Sequence, residues 1–333
     1  MLRLTDRWIW DSWYAVHEGR HHVFYLQAER SLVDPERRHR HPSVGHAVSD
    51  DLRHWEVLPD ALAPSTADAF DDWTTWTGSV VRDDAGTWWM FYTGSRHADD
   101  GLVQRIGAAR STDLLTWDKV SSDALVSGDA RWYEQYGTAA WGDEAWRDPF
   151  VFRHADPSDG SVDGSADGRW HMLITARATH GPDAGRGVVG HAVSDDLLSW
   201  DVLPPITQPH TGFGQLEVNQ VEVIDGIPTL LFCCDTPQLD ADGLARHGRG
   251  GVFSVTGRSL LGPFDIAAAR RFDHDDLYAA RLVKHAGRWH LIGFRNIGPD
   301  GFIGELSDPI PVTVDPGHGG LVALEERDGD ESG

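Results

Sequence analysis

GRWHMLITAR, residues 168–177, is a glycine followed by a strand rich in apolar and aromatic residues, and it decides the fold because it recurs. The counterparts are GRHHVFYLQAE (19–29), GTWWMFYTGSR (86–96), GIPTLLFCCD (226–235) and GRWHLIGFRN (287–296). Another short apolar strand precedes each copy. These strands open at Asp11 in WDSWYAV, Gly78 in TGSVVR, Asp148 in RDPFVF, Glu217 in LEVNQVEV and Tyr278 in LYAARLV. Strand, glycine turn and strand read as a hairpin. Five hairpins at intervals of roughly 60–70 residues suit propeller blades. The expected fold is all-β, a single-domain five-bladed β-propeller. Its inner strands meet at one mouth, so Asp11, Asp148 and Glu217 are expected to share one pocket.

A second repeat runs through the outer strands. GHAVSDDLRHWEVLPDAL (45–62), GAARSTDLLTWDKVSSDAL (107–125) and GHAVSDDLLSWDVLPPI (190–206) are one unit. GVFSVTGRSLLGPFDIAAA (251–269) and GELSDPIPVTV (304–314) are weaker copies. Blades are therefore expected over 8–62, 74–125, 145–206, 215–269 and 276–326. The catalytic propeller would span 1–326, with 327–333 an acidic disordered tail. The ring is expected to close by packing between the first and last blades, without a swapped strand. The Gly/Asp/Ser-rich stretch 153–167 reads as a solvated loop. RRHRH (37–41) reads as a basic run on an exposed inter-strand loop, the alternative being a contribution to the edge of the pocket.

The composition narrows the function. A formal net charge of −23 over 333 residues excludes partners that demand basic patches, namely nucleic acid and anionic membrane. Nothing approaches an 18-residue apolar span, and MLRLTDRWIWDSW lacks the apolar core of a signal peptide. Cys233 and Cys234 are the two cysteines, adjacent in one strand and so on opposite faces. Thiols without a disulfide framework fit a reducing, cytoplasmic compartment. The 18 histidines show no zinc-type spacing, and His46 and His191 hold equivalent repeat positions, which favours a structural role. No nucleotide signature is found, so no cofactor and no metal are expected. The partner expected is a small carbohydrate.

Converging carboxylates repel one another and need a function to justify them. Two carboxyls facing one glycosidic bond are the minimum equipment of a glycosidase. One attacks or activates water. The other protonates the leaving oxygen, and a neighbouring carboxylate helps it hold that proton. The cation of Arg147 favours the ionised form of its neighbour Asp148. Trp10, Trp13 and Trp76 flank strand heads at the mouth, where a ring can stack on a sugar.

These residues also carry a family resemblance. GHAVSDDLRHW (45–55) resembles the Gly-His-Ala-x-Ser-x-Asp-Leu-x-His-Trp motif of glycoside hydrolase family 32, the invertases and fructan hydrolases. WRDPFVF (146–152) resembles its Arg-Asp-Pro motif. FDDWTTWTGSVV (70–81) is similar to its Trp-Ser-Gly-Ser segment, with Thr77 in place of the first Ser. LEVNQVEVIDG (216–226) resembles its Glu-Cys-Pro segment, and FDHDDLYAARL (272–282) its Asp-Tyr-Gly…Phe-Tyr-Ala stretch. The resemblance implies a retaining mechanism on fructosyl groups. It makes Asp11 the nucleophile, Asp148 the transition-state stabiliser assisted by Arg147, and Glu217 the acid/base. It adds Gln27, Thr77, Gly78 and Tyr278 to Trp10, Trp13, Trp76 and Arg147 as substrate-binding residues.

The chain departs from family 32 in three ways. WIWDSW stands where that family writes Asn-Asp-Pro-Asn-Gly, and is closer to family 68, the levansucrases, which share the propeller and the acids. After Glu217, Val218-Asn219 stands in place of Cys-Pro and also differs from the Arg-Pro of family 68. The sequence also stops soon after blade five, where family 32 usually continues into a β-sandwich. The function expected is release of terminal β-fructofuranosyl units from sucrose or short fructo-oligosaccharides through a covalent fructosyl-enzyme intermediate. Its rivals are a levansucrase-type fructosyltransferase, an inverting α-L-arabinofuranosidase or β-xylosidase, and a sugar-binding propeller without catalysis.

Overall fold

The computed structural model describes residues 1–138, 141–154 and 167–325. It is a five-bladed β-propeller. Blade one is β1 (Arg7–His17), β2 (Arg20–Glu29), β3 (Ser43–Ser49) and β4 (Glu56–Leu62). Blade two is β5 (Thr74–Arg82), β6 (Trp88–Ser95), β7 (Arg105–Ser111) and β8 (Asp118–Lys119). Blade three is β9 (Trp146–Arg153), β10 (Trp170–Arg177), β11 (Gly187–Ser194) and β12 (Asp201–Leu203). Blade four is β13 (Glu217–Ile224), β14 (Ile227–Cys234), β15 (Gly251–Thr256) and β16 (Arg270–Arg271). Blade five is β17 (Leu277–His285), β18 (Arg288–Gly298), β19 (Gly301–Leu306), β20 (Ile310–Asp315) and β21 (Gly320–Ala323). Each blade is an antiparallel meander, and the expected blade limits hold to within a few residues. The proposed tail, 327–333, and nearly all of the 153–167 loop lie outside the described residues.

Blade five differs in detail from its repeat. β19 and β20 both pair β18, along successive halves of its length, and β21 forms the outer edge. The ring does close by packing of blade one against blade five, but one backbone bridge adds to it. Leu306 N–H donates to Leu2 O at 3.0 Å, so the segment ahead of β1 is pinned to the last blade.

The outer repeat turns out to be a turn device. In S-x-D-L the Asp carboxylate accepts two backbone N–H groups, as at Asp51 (from Arg53 and His54), Asp113 (Leu115, Thr116) and Asp196 (Leu198, Ser199). The leucine that follows sits at positive φ, 62°, 64° and 65° at Leu52, Leu114 and Leu197, with its side chain buried between blades. A β-turn with its donors satisfied by one carboxylate holds a strained leucine in place because that leucine packs. Trp117 and Trp200 then donate to the carbonyls of Leu114 and Leu197. Eight of the 15 tryptophans are buried. Cys233 and Cys234 are buried thiols that enter two different core clusters, as alternation requires.

One irregularity recurs and positions the site. The register of every innermost strand slips once, between Ile9 and Ser12, Trp76 and Gly78, Arg147 and Phe150, Glu217 and Gln220, and Tyr278 and Arg281. These are β-bulges, which place extra residues on one strand and re-aim side chains. Asp148, Val218 and Ala279 adopt positive φ of 58°, 54° and 43° within them. The acids were expected at strand heads. Glu217 is one, but Asp11 and Asp148 lie inside strands that begin earlier, at Arg7 and Trp146.

Candidate active site

The five bulges surround the mouth of an axial pocket of about 450 Å³. Trp10 and Asp11 of β1, Trp76 and Thr77 of β5, Arg147 and Asp148 of β9, Glu217 and Val218 of β13, and Tyr278 of β17 all line it. Regular alternation would send neighbours such as Trp10 and Asp11 to opposite faces. The bulge sets both against the single residue Leu26, and all three reach the pocket.

Asp11 accepts a very short hydrogen bond from Thr77 Oγ1. Burial, then the charge of Asp148, raise its carboxyl to about 7, against the opposing Thr77 bond. Asp148 accepts from Thr175 Oγ1 at 2.8 Å and from Val218 N–H at 3.3 Å. Its own N–H donates to Thr93 Oγ1, which secures the positive-φ backbone. Glu217 is the most heavily bonded acid. It accepts from Arg147 Nη2 at 2.6 Å, from Gln238 Nε2 at 3.3 Å and from the Tyr278 hydroxyl in a very short bond. Burial and the Glu217 charge push Tyr278 well above the ordinary phenol range, so it remains a donor.

Arg147 was expected to serve Asp148. It lies 3.5 Å from Asp148 Oδ2 but makes its hydrogen bond to Glu217. Burial outweighs its influence on Asp148, whose carboxyl is raised overall. Gln104 and Gln215 side-chain oxygens accept from the same guanidinium and fix its plane. Beneath the acids lies a second, fully buried cation. Arg281 donates to the carbonyls of Asn219 (2.6 Å), Val218 (3.3 Å) and Gly78 (3.3 Å), and its charge faces Asp148 and Asp11.

Three expected substrate contacts fall elsewhere. Gln27 is buried one residue past Leu26, on the opposite side of β2, where it bonds Ser43 Oγ. Trp13 lies beyond the bulge, buried and stacked on Phe24 at 6.4 Å. Gly78 has no side chain to offer; a Cβ there would meet Phe91 O at 2.1 Å, so it permits close packing of β5 on β6. The reading of 37–41 as an exposed loop also fails for two residues. Arg38 is buried over the Phe302 ring at 3.9 Å and His39 lines the pocket, its imidazole lowered to about 4 by burial and then Arg38. Gln104, Asp143, Asp235, Gln238 and Asn296 line the pocket too and carry no repeat signal. Only the β1–β2 and β2–β3 register and the turn at Pro35–Arg40 bring His39 in.

A ring of five β-meander blades thus carries three carboxyls and an arginine on its axis. The sequence profile of the glycosyl hydrolases family 32 N-terminal domain matches residues 11–162, so that stretch of the chain is similar to that family. Beta-fructofuranosidase 1 of Zea mays is 37% identical over 109 residues, 32% of this chain and 15% of that protein. The probable sucrose-6-phosphate hydrolase of Psychromonas ingrahamii is 28% identical over 190 residues, 56% of this chain and 28% of its own. The chain thus spans less than a third of the length of either relative. Among solved structures, inulosucrase from Halalkalicoccus jeotgali bound to kestose superposes with a TM-score of 0.74 at 19% identity, over 95% of this chain and 88% of that one.

Proposed function

We propose that the protein is a retaining glycoside hydrolase that releases terminal β-fructofuranosyl units from sucrose or short fructo-oligosaccharides. The observation that carries this reading is the meeting of Asp11, Asp148, Glu217 and Arg147, from three blades, in one pocket. A volume of about 450 Å³ lies in the range of sites for small molecules, about 300–1,000 Å³. The relatives named as beta-fructofuranosidase and sucrose-6-phosphate hydrolase support the substrate class.

In this reading Asp11 Oδ attacks the anomeric carbon as the bond to the leaving oxygen breaks. Glu217 gives that oxygen its proton, and a fructosyl ester on Asp11 results. Water then gives a proton to the Glu217 carboxylate and attacks the same carbon, expelling Asp11. Thr77 holds the attacking carboxyl, and Tyr278, Arg147 and Gln238 hold the acid/base. Asp148 is placed to accept hydrogen bonds from ring hydroxyls. Trp10 and Trp76 offer aromatic surface beside it.

The test is incubation with sucrose, short fructo-oligosaccharides and an aryl α-L-arabinofuranoside, alongside Asp11→Asn and Glu217→Gln. Fructose release that falls by at least about 10²–10⁴-fold in both variants is the expected result. Turnover of the arabinoside alone would overturn the substrate class. The Trp-Asp-Ser-Trp setting of the nucleophile favours transfer as a second reading, and longer oligosaccharides at high sucrose concentration would select it.

A further inference from the structure

A second constellation lies at the far end of blade three, where β9 ends and β10 begins. Ligand atoms of His154, Asp167 and His171 all lie within 4.8 Å of one another. His154 and His171 are buried, and Asp167 is open to solvent. His171 Nε2 lies 3.1 and 3.2 Å from the two Asp167 oxygens. Its other nitrogen, Nδ1, lies 2.9 Å from His191 Nε2.

Blade one supplies an internal comparison. His22 and His46 occupy the repeat positions of His171 and His191, with rings 5.1 Å apart and Nδ1···Nε2 at 3.0 Å. Each pair is also stacked on a phenylalanine, through His46 on Phe24 at 4.4 Å in blade one and through His171 on Phe152 at 5.6 Å in blade three. The histidine pair by itself is therefore a packing feature of the fold. Blade three adds an imidazole and a carboxylate beside the same ring, and both additions are metal ligands.

We propose that His154, Asp167 and His171 bind a divalent transition-metal ion, with zinc the best match. Two imidazoles and one carboxylate suit zinc, with water completing a tetrahedral set. A metal on His171 Nε2 requires Nδ1 to carry the proton, and His191 Nε2 stands where it would accept it. Such a partner fixes the ring and its tautomer. Asp167 gives the ion a path from solvent. The site ties the end of β9 to the start of β10, remote from the pocket, so its role is to brace blade three.

Untagged protein is stripped with a chelator, dialysed and titrated with zinc chloride. Bound zinc is read by calorimetry and elemental analysis, and Co²⁺ substitution by its visible spectrum. One equivalent per chain, tetrahedral Co²⁺ bands and a rise in Tm are expected. Affinity should fall at least tenfold in Asp167→Asn and in His154→Gln, and stay unchanged in the blade-one control His22→Gln. Circular dichroism checks that each variant is folded, and Asp167→Asn, at an exposed position, is the variant least able to disturb the fold. Absence of binding to the parent protein, or equal affinity in folded Asp167→Asn, would overturn the site.

Discussion

Asp11 combines two demands that pull in opposite directions. A nucleophile must be ionised, yet burial beside Asp148 raises this carboxyl to about 7. The acid limb of kcat/KM on sucrose should therefore fall near pH 7, as a property of the coupled carboxyl cluster. A limb near pH 4 in a pH–rate profile would show that the carboxyl is not raised in the working enzyme, and would leave the nucleophile's role to the Asp11→Asn test. The same shift has a stability consequence. The folded-state value exceeds the ordinary 3.8, so the contribution is complete below about pH 4 and is lost as pH rises through 7. Asp11→Asn should match the parent at pH 4 and exceed it at pH 8, by up to about 4 kcal/mol at 1.36 kcal/mol per unit. Denaturant titrations at the two pH values read this directly. Tyr278→Phe should lower kcat about tenfold, because it removes one charged hydrogen bond from Glu217 worth about 1.5 kcal/mol or more. An unchanged kcat would mean Arg147 and Gln238 suffice to orient that carboxylate.

At the scale of elements, two devices recur with different purposes. The S-x-D-L turn is legible in sequence because its donors and acceptor are neighbours in the chain. Asp113→Ala should cost about 1–2 kcal/mol, since two backbone N–H groups lose their acceptor; thermal denaturation measures it. The inner-strand bulges left no such mark. They explain why Trp13, expected beside a strand head at the mouth, is absent from the pocket: Asp11 lies within β1, in the slip between Ile9 and Ser12, and Trp13 lies beyond it. Gln27 is absent because Leu26, not its neighbour, stands opposite that slip. The same slips explain why adjacent residues, Trp76 with Thr77 and Arg147 with Asp148, both face the pocket.

For the molecule as a whole, the axis is held by Arg281. From blade five it reaches carbonyls of blade four and of blade two, so three blades depend on one guanidinium. Its charge also offsets that of Asp148 and Asp11 above it. Arg281→Gln should cost on the order of 3–5 kcal/mol, the effect of removing one partner from a buried charge network. Urea unfolding tests this, and a loss below about 1 kcal/mol would show that blade packing alone holds the axis. The sequence by itself determined the five blades, because each repeats a local strand–turn–strand unit, and it marked the three acids near the starts of three inner strands. Only the tertiary structure decided that Arg147 serves Glu217 above Asp148, that His39 and Gln238 enter the pocket, and that Arg281 underlies it. Those contacts join residues from different blades, and their geometry depends on the bulges and the closure of the ring, which no local periodicity encodes.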